Sequence, residues 1–278
     1  MRKLNKRLIV SDFDGTLLSS GQTISDEVRS TISEYVACGG IFAVCTGRML
    51  TSILPRVREL GLKGLVVAYQ GTVIAEIESG KILKNDYINH EDVAEICDYI
   101  ESLKQHVNTY SEEILYSDIG SRFPDEDIYL KRYEKITGVH AERIDSPMSE
   151  FVKKRKLDCQ KITSLVAPNE REGLYLKLLD KFGARFDVTC SADVLVEISP
   201  LNDNKGEALK YLSRYFDISL ENTVAVGDNL NDMSMIKAAG IGVAVGNAVD
   251  ALKKAADFVS VTNDEGAVAQ IIKKYGFV

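Results

Sequence analysis

Apolar residues fall into short continuous runs separated by longer amphipathic stretches. Leu8-Ile9-Val10, Ile41-Phe42-Ala43-Val44-Cys45 and Leu65-Val66-Val67-Ala68 are such runs. Between the first two, Ser25 to Cys38 reads as a helix, with Asp26 and Glu27 in its first turn and Gly39-Gly40 at its end. Met49 to Leu60, stopped by Gly61, reads as a second helix. Continuous apolar strands alternating with helices predict a parallel sheet covered on both faces. Val73-Ile74-Ala75-Glu76-Ile77 and Lys81-Ile82-Leu83, split by Ser79-Gly80, predict a hairpin at the sheet edge. The same alternation returns near the end of the chain. A helix is predicted over Lys205 to Tyr215, a strand over Thr223 to Val226 and a helix from about Asn231 to Ala239. A strand over Gly242 to Val245 and a helix from about Glu265 to Tyr275 close the pattern.

The stretch from Asp86 to Ile198 follows another pattern. Helices are expected at Glu91 to Leu103, Asp127 to Ile136 and Glu170 to Phe182. Strands are expected at Val107 to Tyr110, Ile114 to Tyr116, Cys159 to Val166, Phe186 to Cys190 and Val194 to Ile198. The expectation is an α/β protein: a Rossmann-like, doubly wound parallel core built from residues 1–84 and 199–278, with an inserted α+β domain over 85–198 carrying one open sheet. A length of 278 residues suits such a pair of domains.

Composition narrows the function. Apolar residues make up 45% and charged residues 27%, enough for a sizeable core. With 34 Lys plus Arg against 41 Asp plus Glu, the net charge of -7 argues against a nucleic-acid or membrane-surface partner. It leaves a phosphate ligand open, because a metal ion and a few cations suffice locally. The basic start Met1 to Arg7 precedes an apolar run broken at once by Asp12 and Asp14, too short for a secretory leader. The 5 scattered cysteines show no metal or disulfide spacing, so a cytoplasmic location is expected. His90, His106 and His140 form no ligand pattern and are expected at the solvated surface. The run Lys153 to Lys156 is expected to be a solvated face.

Candidate chemistry gathers where strands end. In an open parallel sheet, ligands bind beyond the carboxyl ends of the strands. Asp12-Phe13-Asp14-Gly15-Thr16 follows the first strand; alone, it could be a simple turn. Thr46-Gly47-Arg48 follows the second, offering a hydroxyl and backbone N–H groups to an anion, or a helix N-cap. Gly227-Asp228-Asn229-Leu230-Asn231-Asp232 follows the strand at Thr223. Its two carboxylates suit a hard, oxygen-liking cation such as Mg²⁺, and an acidic N-cap would explain only one of them. Lys205 opens a helix, where the dipole disfavours a cation, so another duty is expected of it.

In this order, the four elements resemble the haloacid-dehalogenase-like superfamily, and the whole chain resembles its Cof-type, subclass IIB phosphatases. The tail Gly242-Val243-Ala244-Val245-Gly246-Asn247-Ala248, Ala256-Asp257 and Asp264-Glu265-Gly266 belongs to the same resemblance. The resemblance implies a Mg²⁺-dependent phosphatase with Asp12 as nucleophile and Asp14 as general acid and base. It places the metal on the Asp12 carboxylate, the Asp14 carbonyl and Asp228, with Asp232 behind it. It gives Thr46, Gly47, Arg48, Lys205 and Asn231 to the phosphate. The implied substrate is a small phosphorylated metabolite such as a sugar phosphate, a nucleotide cofactor or pyridoxal phosphate, and the implied state a monomer or weak homodimer. Arg122, Tyr129, Arg155 and the Lys153–Lys156 run are candidates for substrate contact in the insert. A phosphomutase of the phosphomannomutase type and a non-catalytic phosphate-binding regulator are the alternatives. Two departures stand out: Gln70-Gly71 where relatives usually carry Asn-Gly, and Asn202-Asp203-Asn204 where they carry small residues before the lysine.

Overall fold

In a computed structural model, which describes residues 3–118 and 126–278, the apolar runs become strands. β1 (Leu8–Ser11) leads into a tight turn, Phe13–Leu17. α1 (Asp26–Ala37) is capped by Ser25, whose Oγ accepts from the Val28 N–H at 3.3 Å. β2 (Ile41–Val44), α2 (Leu50–Glu59), β3 (Leu65–Ala68), β4 (Val73–Glu76) and β5 (Ile82–Asn85) follow. Next come α3 (His90–Ser102), β6 (Asn108–Ser111), β7 (Ile114–Asp118), α4 (Glu126–Thr137), β8 (Ala141–Ile144) and α5 (Met148–Arg155). β9 (Lys161–Leu165), α6 (Arg171–Phe182), β10 (Phe186–Ala192) and β11 (Leu195–Pro200) complete that region. The last segment holds α7 (Lys205–Tyr215), β12 (Thr223–Gly227), α8 (Met233–Ala238), β13 (Ile241–Ala244), α9 (Asp250–Ala255), β14 (Phe258–Val259) and α10 (Ala267–Ile271).

The chain divides into two compact units. One comprises Met1–Gly47, Ile53–Lys84 and Asn204–Val278; the other comprises Arg48–Ser52 and Asn85–Asp203. The first is built on a five-stranded parallel sheet of order β14-β13-β12-β1-β2. Ile9 pairs with Val224 on one side and Phe42 on the other, and β1 is fully buried. That explains its unbroken apolar run. A single parallel bridge, Cys45 to Val67, carries the pairing on to β3, which turns into a three-stranded sheet of order β3-β4-β5. The expected continuous third parallel strand is therefore a junction between two sheets. Short elements escaped periodicity: α9 has six residues and β14 two. The expected closing helix is a short turn at Asn263–Glu265, then α10, then a wider turn at Ile272–Gly276.

The second unit holds a six-stranded sheet of order β10-β11-β9-β6-β7-β8. Ile162, Val196, Ile198 and Tyr116 join an apolar cluster with Ile96 and Ile100 of α3, Val152 of α5 and Leu178 and Phe182 of α6. The alternating residues Asn108, Lys161, Thr163 and Glu197 are polar and also buried. Lys161 Nζ lies 3.6 Å from Glu197 Oε2. β8, missed in the sequence, pairs parallel with β7 although two of its four residues are exposed polar ones, which hides any alternation. α5, also missed, places Lys153, Lys154 and Arg155 in its last turn, where the helix dipole favours cations. Lys153 and Arg155 are engaged there, with Asp98 at 2.7 Å and over the Phe151 ring at 4.8 Å. Arg122 lies outside the described residues. Among the described residues no helix is long and apolar enough to cross a membrane.

His106 is not a surface residue. It is 1% exposed, with Nδ1 2.8 Å from Asp118 Oδ1 and Nε2 2.8 Å from Asn108 Oδ1 and 3.2 Å from Ser117 Oγ. A lone histidine announces none of these partners, which the β6–β7 pairing brings to it. The Asp118–His106–Ser117 connectivity resembles a charge relay, but Ser117 is fully buried and out of reach of a substrate. His140 is exposed and His90 partly so, with Nδ1 3.1 Å from Asp158.

The packing of this unit rests heavily on Phe182, which is fully buried and meets Tyr99 edge-on at 5.6 Å and Phe186 at 6.5 Å. Phe182→Ala is expected to destabilise the unit by about 3–5 kcal/mol through lost burial and a residual cavity. Chemical denaturation followed by tyrosine fluorescence measures this.

Candidate active site

The ends of β1 and β12 lie side by side because the two strands pair in parallel. Asp12 N–H donates to the Val226 carbonyl at 2.9 Å, which continues the ladder one residue past the strand and seats the Asp12 side chain at the sheet's carboxyl edge. Asp228 follows Gly227 one step beyond β12. The turn at Asp14-Gly15 lets the chain pass close to it. Gly15 has φ +75°, and a Cβ there would stand 2.6 Å from Asp228 Oδ2. Thr16 Oγ1 donates to Asp228 Oδ1 at 2.9 Å.

Lys205 supplies the charge that holds these groups together. Asn204 caps α7 through Oδ1, which accepts from the Gly206 and Glu207 N–H groups at 3.1 Å each. The first helical residue is then Lys205, whose side chain is fully buried. Its Nζ donates to Asp12 Oδ1 at 2.5 Å and to Asp232 Oδ1 at 2.6 Å. Asp232 is saturated on its other side: Oδ2 accepts from the N–H groups of Asp228 at 2.8 Å and Asn229 at 3.1 Å. It fixes the β12–α8 loop and aims Lys205 at once.

Three carboxylates thus face one ammonium. Oxygens of Asp12, Asp228 and Asp232 lie within 4.8 Å of one another. Burial above all, with repulsion from Asp232 and Asp228, raises the Asp12 carboxyl well above its usual range, although Lys205 pulls it down. Burial, then Asp232, pushes Asp228 up to about 6. Burial alone would lower Lys205, but Asp12 and Asp232 outweigh it and hold the ammonium above its ordinary value. Set against one cation, three carboxylates leave two uncompensated negative charges and an all-oxygen donor set, which fits a hard divalent cation.

The remaining expected residues fall into two groups. Asp14 sits half-buried in the turn with φ −79° and ψ 126°, outside the carboxylate cluster. Thr46 is 1% exposed; its N–H donates to the Val67 carbonyl at 3.0 Å, and its carbonyl accepts from Gln70 N–H at 2.9 Å. Asn231 Nδ2 donates to Gln70 Oε1 at 3.0 Å, and Gly47 packs directly on the Gln70 amide. Arg48 groups with the second unit, where its guanidinium donates to the Ile136 carbonyl at 3.2 Å and to Ser52 Oγ at 3.5 Å. In the sequence Gln70 stands out only as a departure from the family pattern, and Asn247, which donates to the Gly15 carbonyl at 2.8 Å, only as part of the tail.

Comparison with known proteins identifies the family of the chain. A family model described as haloacid dehalogenase-like hydrolase matches residues 9–272. The chain belongs to this family. It is 30% identical to phosphatase YwpJ of Bacillus subtilis, over 96% of this chain and 99% of that protein. It is 29% identical to HMP-PP phosphatase of Serratia proteamaculans, over 89% and 86% of the two chains. The structure of a haloacid dehalogenase-like hydrolase from B. subtilis superposes with a TM-score of 0.83 at 29% identity, covering 96% and 99%. The chain is accordingly an enzyme of the phosphatase type within this family of hydrolases.

Proposed function

We propose that this hydrolase releases inorganic phosphate from small phosphorylated metabolites through a phosphoryl group carried on Asp12. The observation that supports it most is the buried Lys205 ammonium bridging Asp12 and Asp232 beside Asp228. A structural ion pair would need one carboxylate; three concentrate more negative charge than folding alone justifies.

In this reading an Asp12 carboxylate oxygen attacks phosphorus while the bond to the leaving oxygen breaks. Asp14 gives that oxygen a proton, and then takes one from the water that attacks the aspartyl-phosphate. The P–O bond to Asp12 breaks, phosphate leaves, and both carboxyl groups return to their starting states. Lys205, Asn231, Thr46 Oγ1 and the Gly47 N–H hold the phosphoryl oxygens, whose charge grows during transfer. Mg²⁺ would be held by the Asp12 and Asp228 carboxylates and the Asp14 carbonyl, and when bound it neutralises phosphoryl charge. Asp232, with both oxygens occupied, orients from behind. The bonds of Arg48 to Ile136 and Ser52 give that side chain a structural duty, and we leave it out of the phosphate site. A sugar phosphate or cofactor phosphate is the substrate class we favour.

The test is phosphate release from a panel of such metabolites with Mg²⁺, with and without a chelator, compared by kcat/KM. Chelator-sensitive release with a preferred substrate supports the proposal; no release, or release indifferent to chelation, overturns it. Metal addition has a second readout. Asp12 and Asp228 carry raised folded-state pKa values, so without metal they withdraw stability above their unfolded values and restore it as the pH falls through about 6 at Asp228. At a hundredfold excess over Kd, Mg²⁺ is expected to raise Tm by about 5–10 °C at pH 7.5. At pH 5 protons compete for the same oxygens, so the increment shrinks. Thermal scans at both pH values measure the difference.

A further inference from the structure

We propose that Gln70 is a positioning residue of the phosphate-holding loops, setting the amide of Asn231 and the backbone of Gly47; the assignment rests on the function proposed above. The backbone at Gln70 is unusual. Tyr69, Gln70 and Gly71 follow β3 with φ of +50°, +63° and +120°, so two successive non-glycine residues are left-handed. Such conformations persist only where the surroundings over-determine them, and they concentrate at functional sites. Here the turn is pinned on three sides. Gln70 N–H donates to the Thr46 carbonyl at 2.9 Å, and Lys84 Nζ donates to the Gly71 carbonyl at 2.9 Å. A Cβ on Gly71 would meet the carbonyl oxygen of Asn204, the α7 cap, at 2.7 Å.

This backbone directs the Gln70 side chain inward, where it is 3% exposed. Its amide then serves two loops. Oε1 accepts from Asn231 Nδ2 at 3.0 Å, and among the described residues this is the only hydrogen bond of the Asn231 side chain. Among the described residues Asn231 Oδ1 has no hydrogen-bond partner, and it is buried. An asparagine amide can rotate by half a turn and exchange donor for acceptor. Facing Gln70 Oε1, only the orientation that turns Nδ2 toward it is satisfied, and the second Nδ2 hydrogen is thereby set for a phosphoryl oxygen. On its other side, Gln70 Nε2 occupies the space a Cβ on Gly47 would need, at 2.4 Å. The chain after β2 thus lies against the amide that orients the chain after β12. An asparagine at position 70 would retract that amide by about 1.5 Å and could not span both loops.

The variants separate fold from function because of the left-handed backbone. Gln70→Gly removes the amide at a φ that glycine adopts freely; relief of that strain offsets part of the lost hydrogen bond and burial, so Tm is expected to fall by a few degrees at most. With Mg²⁺ and a generic aryl phosphate, its kcat/KM should fall about 10²-fold, mainly in kcat, because the donor is misplaced and not removed. Gln70→Asn, tolerant of the same φ but shorter, should be intermediate. Asn231→Ala should fall comparably, and the Gln70→Gly/Asn231→Ala double variant should match Asn231→Ala within about twofold, since Gln70 acts through Asn231. Wild-type kcat/KM in Gln70→Gly, or a double variant whose loss is the product of the two single losses, would overturn the proposal. Asp12→Asn in the same assay identifies the source of a failure. If it retains activity, the reading of the site falls; if it is inactive while Gln70→Gly is unaffected, only the role of Gln70 falls.

Discussion

Asp12→Asn is expected to lose phosphate release by at least about 10⁴-fold while unfolding at the same temperature as the parent protein or a higher one. The catalytic half follows from covalent chemistry: an amide oxygen does not attack phosphorus, and no neighbouring group can replace it. Asp228 accepts from Thr16 and Asp232 is saturated by Lys205 and two backbone N–H groups. The stability half follows from charge. Burial holds the Asp12 carboxyl well above its ordinary range, so its ionised form costs stability at neutral pH. Asparagine removes one of three crowded negative charges, leaves Lys205 paired with Asp232 and still offers it an oxygen. Phosphate release from an aryl phosphate and thermal unfolding without metal at pH 7.5 check both halves. Activity within tenfold of the parent would remove Asp12 as nucleophile; a Tm several degrees lower would mean that Asp12 stabilises the cluster. A function purchased at the expense of stability is common at active sites.

Much of this arrangement was visible in the chain before folding. The buried runs at Leu8 and Thr223 marked parallel strands, and the aspartates just beyond them had to lie at the carboxyl edge of the sheet. α7 follows the expected Lys205–Tyr215, because its cap, amphipathic face and end are all local signals. What stayed hidden depends on tertiary pairing. Nothing around Gln70 predicts its left-handed backbone or its bond to Asn231, 161 residues away. His106 looked solvated because Asp118 and Ser117 reach it only through the β6–β7 pairing. Residues 199–203 group with the inserted unit: β11 extends to Pro200 and Ser199 Oγ donates to the Asp203 carbonyl at 3.2 Å. Asn202-Asp203-Asn204 therefore spans the junction at which the first unit resumes, and Asn204 caps α7 by accepting from the Gly206 and Glu207 N–H groups.

Lys205→Met is expected to produce the opposite pairing of effects, a loss of both activity and stability. Methionine preserves the length of the buried stem and removes only the ammonium. Asp12 and Asp232 then lose the cation they share, and Asp228 remains beside them. Breaking a buried pair costs about 3–5 kcal/mol, because the partner is left uncompensated. For a protein of this size that corresponds to a Tm lower by on the order of 10 °C. The pH dependence distinguishes this cause from simple misfolding. Without Lys205 the Asp12 and Asp228 carboxyls, already raised, rise further, so stability is withdrawn at neutral pH and returns as acid protonates them. The Tm deficit of the metal-free variant should therefore be larger at pH 8 than at pH 5, and Mg²⁺ should reduce it by supplying positive charge to the same oxygens. A deficit that ignores both pH and Mg²⁺ would point to lost packing. The activity should stay low even where Mg²⁺ restores the fold, by about 10²–10³-fold in kcat, since the transferring phosphoryl group has lost a preorganised cation. Recovery of activity along with stability would confine Lys205 to holding the carboxylates together.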